Sequence, residues 1–401
     1  MSPRITRSTR RRLFGVDAAR GLALIGMMVV HVLPTTDPST GEATWAGLAF
    51  AGKSAALFAV LAGVGLALLS AGADARLVWS RKVIAVRAVL IILIGLGIAA
   101  LDHGVAVILV NYGVLFLLAL PFLRLGARAL FALAGAWVLA APALYWWLHN
   151  TLRESVERFP SDWRLWHSPG VEDVLTPGLL GTDLALTGYY PLLLWPAYLF
   201  AGMALGRLDL KRTTTAMRLA GLGLIGAVLT SIVGRLTMWL SDVRFHMMST
   251  SGWTEEAVLG ELQTGTHHLP LITDPVWFLL ITPHQGSTLD LLHTLSVAVA
   301  VLGFCLLLAS LLKGPLKWPL APLADAGAMP LTLYVGHLVV LHYWRPEGAP
   351  LHDVDPATLV WIFLLSFLVL GLVKSMLGRR GPLEALTHAA GVAVAGPAPG
   401  R

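Results

Sequence analysis

Residues Gly15 to Leu33 read GVDAARGLALIGMMVVHVL, an apolar run of helical length that carries three ionisable side chains, Asp17, Arg20 and His31. Arg20 and His31 are 11 positions apart. At 100° per residue that is three turns plus about 20°, so both lie on one helix face, roughly 16 Å apart along the axis. Ionisable groups on one face of a membrane helix are costly unless that face looks into a bundle or a water-filled cavity. The run therefore reads as a transmembrane wall of a site reaching from the inner surface towards the outer one. Asp17, one turn before Arg20, can pair with it and lower the cost of placing both near the inner interface.

Composition agrees. With 56% apolar and 13% charged residues the chain is not an ordinary soluble domain. The recurrent long apolar runs predict an all-α, polytopic integral membrane protein, whereas a β-barrel would need short alternating segments. Apolar spans fall near 14–35, 48–72, 83–101, 105–123, 127–148, 186–206, 216–240, 287–312, 327–345 and 357–377, about ten transmembrane helices. Because Asp17 and Arg20 lie inside the first apolar run and no clean cleavage site follows it, that run is read as a retained helix and not a signal peptide.

Lys and Arg set the orientation. Arg4, Arg7, Arg10, Arg11 and Arg12 precede the first span, and Arg76, Arg81 and Lys82 the third. Arg124, Arg128, Arg207, Lys211, Arg212, Lys313, Lys317, Arg379 and Arg380 fall on the same side, while loops 36–47 and 102–104 carry no Lys or Arg. Both termini are thus expected in the cytoplasm. The basic residues are dispersed among loops, which argues against nucleic-acid binding. The long connections 149–185 and 241–286 then lie outside. Because they hold Trp163, Trp166, His167, His246, Trp253, His267 and His268 in place of low-complexity sequence, they are expected to be ordered caps. Three regions are expected: a basic N-terminus (1–13), the membrane domain (14–390) and a disordered Ala/Gly/Pro-rich tail (391–401). The single cysteine, Cys305, reads as a small packing residue.

Candidate chemistry starts with His31, whose imidazole suits acyl transfer as a general base or as the acyl carrier itself. Lys53, early in the second span, should lie at the same outer depth, placed to bind an acidic acceptor or a developing oxyanion. Arg87 lies about two turns inside the third span, deeper than a loop charge, and with Arg81 and Lys82 could dock an anionic cofactor entering from the cytoplasm. Polar residues within or beside later spans are Asp102, His103, Asn111, Tyr112, Tyr189, Tyr190, Arg235, His284, Tyr334 and His337. Taken singly they read first as interhelical hydrogen-bonding groups. No metal-ligand spacing, phosphate loop or nucleophile elbow is present.

VDAARGLALIGMMVVH resembles the first helix of the transmembrane acyltransferase superfamily, including the Arg-x10-His pattern of the acyltransferase-3 branch, matched by Arg20 and His31. Further along, ATWAGLAFAGKSAALFAVLAGVGLAL, TGYYPLLLWPAYLFAGMALGRLDL, PHQGS, LADAGAMPLTLYVGHLVVL and RRGPLEALTH look similar to the heparan-α-glucosaminide N-acetyltransferase-like and YeiB-like branches. The resemblance implies a catalytic His31, with Arg20 handling acyl-CoA and Arg81, Lys82 and Arg87 as a loosely corresponding basic element. It departs at one place: where the heparan acetyltransferases carry their catalytic histidine, shortly before Trp45, this chain has Glu42.

The expected function is an acyltransferase moving an acyl group from cytoplasmic acyl-CoA, acetyl-CoA first, to a hydroxyl or amine of an extracytoplasmic glycan or lipid-linked sugar. Asp17, Arg20 and His31 form the expected catalytic set; Arg20, Arg81, Lys82 and Arg87 bind the donor, with no metal. Glu42, Lys53, Asn111, Tyr112, Tyr190, His284 and His337 contribute to the acceptor site. The bilayer, acyl-CoA and the acceptor are the expected partners, with homodimerisation left open and a bacterial inner membrane suggested by the Lys-poor composition. The competing reading is a non-catalytic transporter or exporter of a small metabolite or lipid, which paired broken helices in two repeats would favour.

Overall fold

The computed structural model describes residues 13–72, 74–158, 167–265, 274–312 and 319–399, with side chains of 152–158 and 250–251 left aside. The basic stretch before Leu13, Trp163, Trp166, His267, His268, Lys313 and Lys317 lie outside the described residues. The chain folds into helices α1 (Phe14–Val32), α2 (Trp45–Phe50), α3 (Lys53–Leu69), α4 (Asp74–Ala99), α5 (Leu109–Ala119), α6 (Ala127–Arg158), α7 (Pro177–Thr182) and α8 (Pro196–Gly206). They are followed by α9 (Thr213–Leu240), α10 (Val243–Ser251), α11 (Glu255–Thr264), α12 (Thr288–Leu311), α13 (Ala321–Ala326), α14 (Pro330–His342), α15 (Pro356–Leu377) and α16 (Pro382–Ala395).

Among the described residues seven helical segments are long and apolar enough to cross a membrane, and three of the ten expected spans are shorter: Leu109–Arg124, Pro196–Gly206 and Pro330–His342. Prolines explain two of these, because Pro196 and Pro330 each start their helix and cannot continue one from upstream. The second span is broken at Gly52, which has φ +68° and separates α2 from α3. A Cβ there would press on Pro283, so the break also seats the 283–287 loop against the bundle.

The first helix is central. Of its apolar window 72% is buried, against 22% for α9 and for α15, which turn most of their surface outward. Small residues make this possible: Gly21 lies against Leu323 and Gly26 against Ser54 and Phe50. α3 and α8 approach more closely still, with Gly63 against the Leu199 carbonyl and Gly202 against that of Val60. α12 packs chiefly along α9, and α13 on α1 and α15. The half-buried Lys374 Nζ donates to Asp325 Oδ1 at 2.9 Å, pinning α15 to α13 by a pair whose two charges compensate each other. Polar caps begin several helices; Asp290 N donates to Ser287 Oγ (3.0 Å) at α12 and Asp355 accepts from Ala357 N and Thr358 N at α15.

In the connection 241–286 the described residues, 241–265 and 274–286, form α10, α11 and a 3₁₀ turn at Pro275–Leu279 and carry an apolar cluster of Val243, Met247, Val258, Leu262 and Leu280. The expected disorder beyond 390 is corrected: α16 continues to Ala395, and Trp79 Nε1 donates to the Gly396 carbonyl at 2.9 Å. Packing overrides composition here, because Thr387 and Gly391 are buried and Gly391 lies against Val83 of α4.

Candidate functional site

Two internal cavities lie at opposite ends of α1. The one at its C-terminal end, the outer cavity on the expected topology, has about 190 Å³ and is lined by His31, Tyr189, Tyr190, His284 and Arg345, with Thr264 and Gly265 supplied by the 241–286 cap. The inner one, about 450 Å³, is mostly apolar but carries Arg20, Arg87, Arg380, Glu384 and His388 on its wall. Arg20 and His31 thus open into different cavities from one helix.

In the outer cavity His31 Nδ1 lies 2.9 Å from His337 Nε2, with the ring planes 12° apart and centroids 5.2 Å apart. That centroid separation is too wide for face-to-face contact at this N···N distance; the rings meet edge to edge through their nitrogens. The hydrogen-bond chain assigns the protons. His337 Nδ1 faces the Leu333 carbonyl at 3.3 Å, and a carbonyl only accepts, so this nitrogen carries the hydrogen. In the neutral ring Nε2 of His337 is then the acceptor, His31 Nδ1 the donor, and His31 Nε2 keeps its lone pair. A base oriented by a hydrogen-bonded neighbour is the arrangement that activates nucleophiles in acyl transfer. Arg345 Nη2 donates to the His31 carbonyl at 2.6 Å, satisfying a backbone acceptor in the last turn of α1.

The cap side adds a constrained histidine. His284 has φ +65°, alone among described non-glycine residues in the left-handed region, which costs a β-carbon residue about 1 kcal/mol or more. Burial pushes its pKa down to about 4, so the ring is neutral near pH 7. Tyr189 and Tyr190 meet its ring edge-on, and burial raises both phenols above their ordinary range.

At the inner end Arg20 Nη1 donates to Asp17 Oδ1 (3.0 Å) and to the Gly327 carbonyl (3.3 Å), so Asp17 aims Arg20 without itself lining the cavity. Arg87 Nε is buried without a hydrogen-bond partner. Glu384 caps the start of α14, accepting from Leu331 N at 2.7 Å and from the Thr332 hydroxyl at 2.6 Å.

The other sequence candidates divide. His284 and Tyr190 line the outer cavity and His337 supports His31. Tyr112 lines the inner cavity instead, donating to the Ala55 carbonyl at 3.2 Å. Asn111 is buried and donates to the Tyr190 carbonyl at 2.9 Å, shaping the wall from behind. Lys53 does not line the cavity, because its Nζ turns back to the Leu48 carbonyl at 2.9 Å. Glu42 is exposed in the loop before α2, away from both cavities. Arg81 donates to the Leu120 carbonyl at 3.2 Å and Lys82 is exposed; neither faces the inner cavity, since both lie off the α4 face that carries Arg87. Sequence reasoning missed Arg345 as a wall residue of the outer cavity, and missed Arg380 and His388 as walls of the inner one. Arg380 reads in the sequence only as a loop charge, and no spacing ties it or His388 to α4.

An apolar helical bundle enclosing these two cavities defines a multi-pass membrane protein with an internal polar site. Residues 12–241 match the family model described as heparan-alpha-glucosaminide N-acetyltransferase, catalytic, and the chain belongs to that family, whose general activity is acyl transfer. The comparison with curated proteins returned no match.

Proposed function

We propose that this protein transfers an acyl group from acyl-CoA, held in the inner cavity, to an amine or hydroxyl of a glycan or lipid-linked sugar in the outer cavity. The distribution of Lys and Arg among the loops supports a cytoplasmic inner end. The observation that carries the reading is His31, hydrogen-bonded to His337, opening into one cavity while Arg20, on the same helix, opens into the other.

Arg20, Arg87 and Arg380 offer guanidinium groups to the CoA phosphates, and the apolar wall around Phe58 and Leu61 takes the pantetheine arm. The acceptor attacks the thioester carbonyl, forming the C–N or C–O bond as the C–S bond breaks. Its proton passes to His31 Nε2 and from there to the departing CoA thiolate. His337 holds the tautomer that makes this possible, and Arg345 steadies the last turn of α1.

The test uses full-length protein in nanodiscs with radiolabelled acetyl-CoA and glucosamine. Labelled N-acetylglucosamine should form, and His31→Ala should abolish it with CoA binding retained. Full activity in His31→Ala would reject His31 as the base.

A further inference from the structure

The two cavities share a wall: among the described residues Ile108 and Tyr334 line both. Each is only 2% exposed. The Ile108 backbone amide, at the start of α5, donates to the Tyr334 hydroxyl of α14 at 3.4 Å, which fastens the tyrosine side chain to the α5 backbone at this shared wall. The same tyrosine ring meets His337 edge-on, with centroids 5.1 Å apart, and so abuts the pair that includes His31. An acyl group crossing from the inner cavity to His31 at this shared wall passes this ring.

The volumes on either side are unequal, about 450 Å³ inside and 190 Å³ outside. A cavity of about 150 Å³ is filled by one benzene molecule, so the outer cavity holds an acetyl group beside an acceptor's reacting end but not an added alkyl chain. Resting on the acyltransferase reading above, we infer that Tyr334, fastened to Ile108, is a specificity-determining residue that restricts the donor to acetyl-sized acyl groups. Longer chains stop in the inner cavity against its ring, whose thioester carbonyl then never reaches His31.

The experiment compares transfer from acetyl-, butyryl- and octanoyl-CoA to glucosamine by the full chain in nanodiscs, with CoA binding followed separately. Wild type should prefer acetyl over octanoyl by at least about 100-fold, and Tyr334→Ala should shrink that ratio by about tenfold or more. Tyr334→Phe keeps the ring and should keep the preference. Ile108→Ala widens the same passage from the other side and decides the matter should Tyr334→Ala fail to fold. A wild type that transfers octanoyl as readily as acetyl, or widened variants with an unchanged ratio, would overturn this inference and leave the acyltransferase reading standing. Absence of both CoA binding and transfer from every donor would overturn the two together.

Discussion

Replacing His337 tests the proton assignment directly. In His337→Ala the Nδ1 hydrogen of His31 loses its acceptor, so the ring loses both its fixed orientation and its preference for the tautomer with a free lone pair on Nε2. General-base catalysis contributes about 10²–10⁴-fold, and most of it depends on the lone pair being at Nε2. We expect kcat to fall by about 10²–10³-fold, or about 3–4 kcal/mol of barrier. KM for acetyl-CoA should stay within about twofold, because His337 is not on the wall of the inner cavity. His337→Gln is the discriminating control: its Oε1 can stand where Nε2 accepts, and it should restore much of the rate. Labelled acetyl transfer to glucosamine, normalised to folded protein, gives both constants. Unchanged kcat in His337→Ala, or Gln no better than Ala, would refute the assignment.

Arg87→Ala should weaken CoA binding about 10- to 100-fold, as expected for a charged phosphate contact, while Arg81→Ala, bonded to the Leu120 carbonyl, should leave it within twofold, both read by isothermal titration. His284 is neutral in the fold down to about pH 4 but protonates near 6.5 when unfolded. The unfolded state therefore binds more protons between those values, and thermal stability should be full above pH 6.5 and fall towards pH 4, by about 3 kcal/mol at most. His284→Asn, which tolerates the left-handed backbone, should flatten that slope in a melting series. Gly202→Val should destabilise by about 1–3 kcal/mol in thermal melts, because the new side chain meets the Val60 backbone.

The first helix was legible because its message is local: apolar run, Arg20 and His31 all lie within 19 residues, and helical geometry alone puts the two on one face. The apolar segments were legible for the same reason, though hydropathy could not tell that Pro196 and Pro330 would shorten two of them. His284 and His337 were found as polar residues among spans, but their partners were not. The His31–His337 bond joins positions 306 apart, and Arg345 reaches His31 across 314. Arg81 and Arg87 looked alike in sequence; a rotation of 600° between them sends them to different sides of α4. Glu42 and Lys53 have charge at a suggestive depth, yet backbone geometry leaves one in water and turns the other onto a carbonyl.

The cap's five-residue apolar cluster stands apart from the main core. Segments with small independent cores detach at lower free energy than the body they cover. Swinging this flap away would withdraw Thr264 and Gly265 from the wall of that cavity while the helical scaffold keeps its shape. A bulky polysaccharide end could thus be admitted and discharged on one face without loosening the grip on the nucleotide at the other.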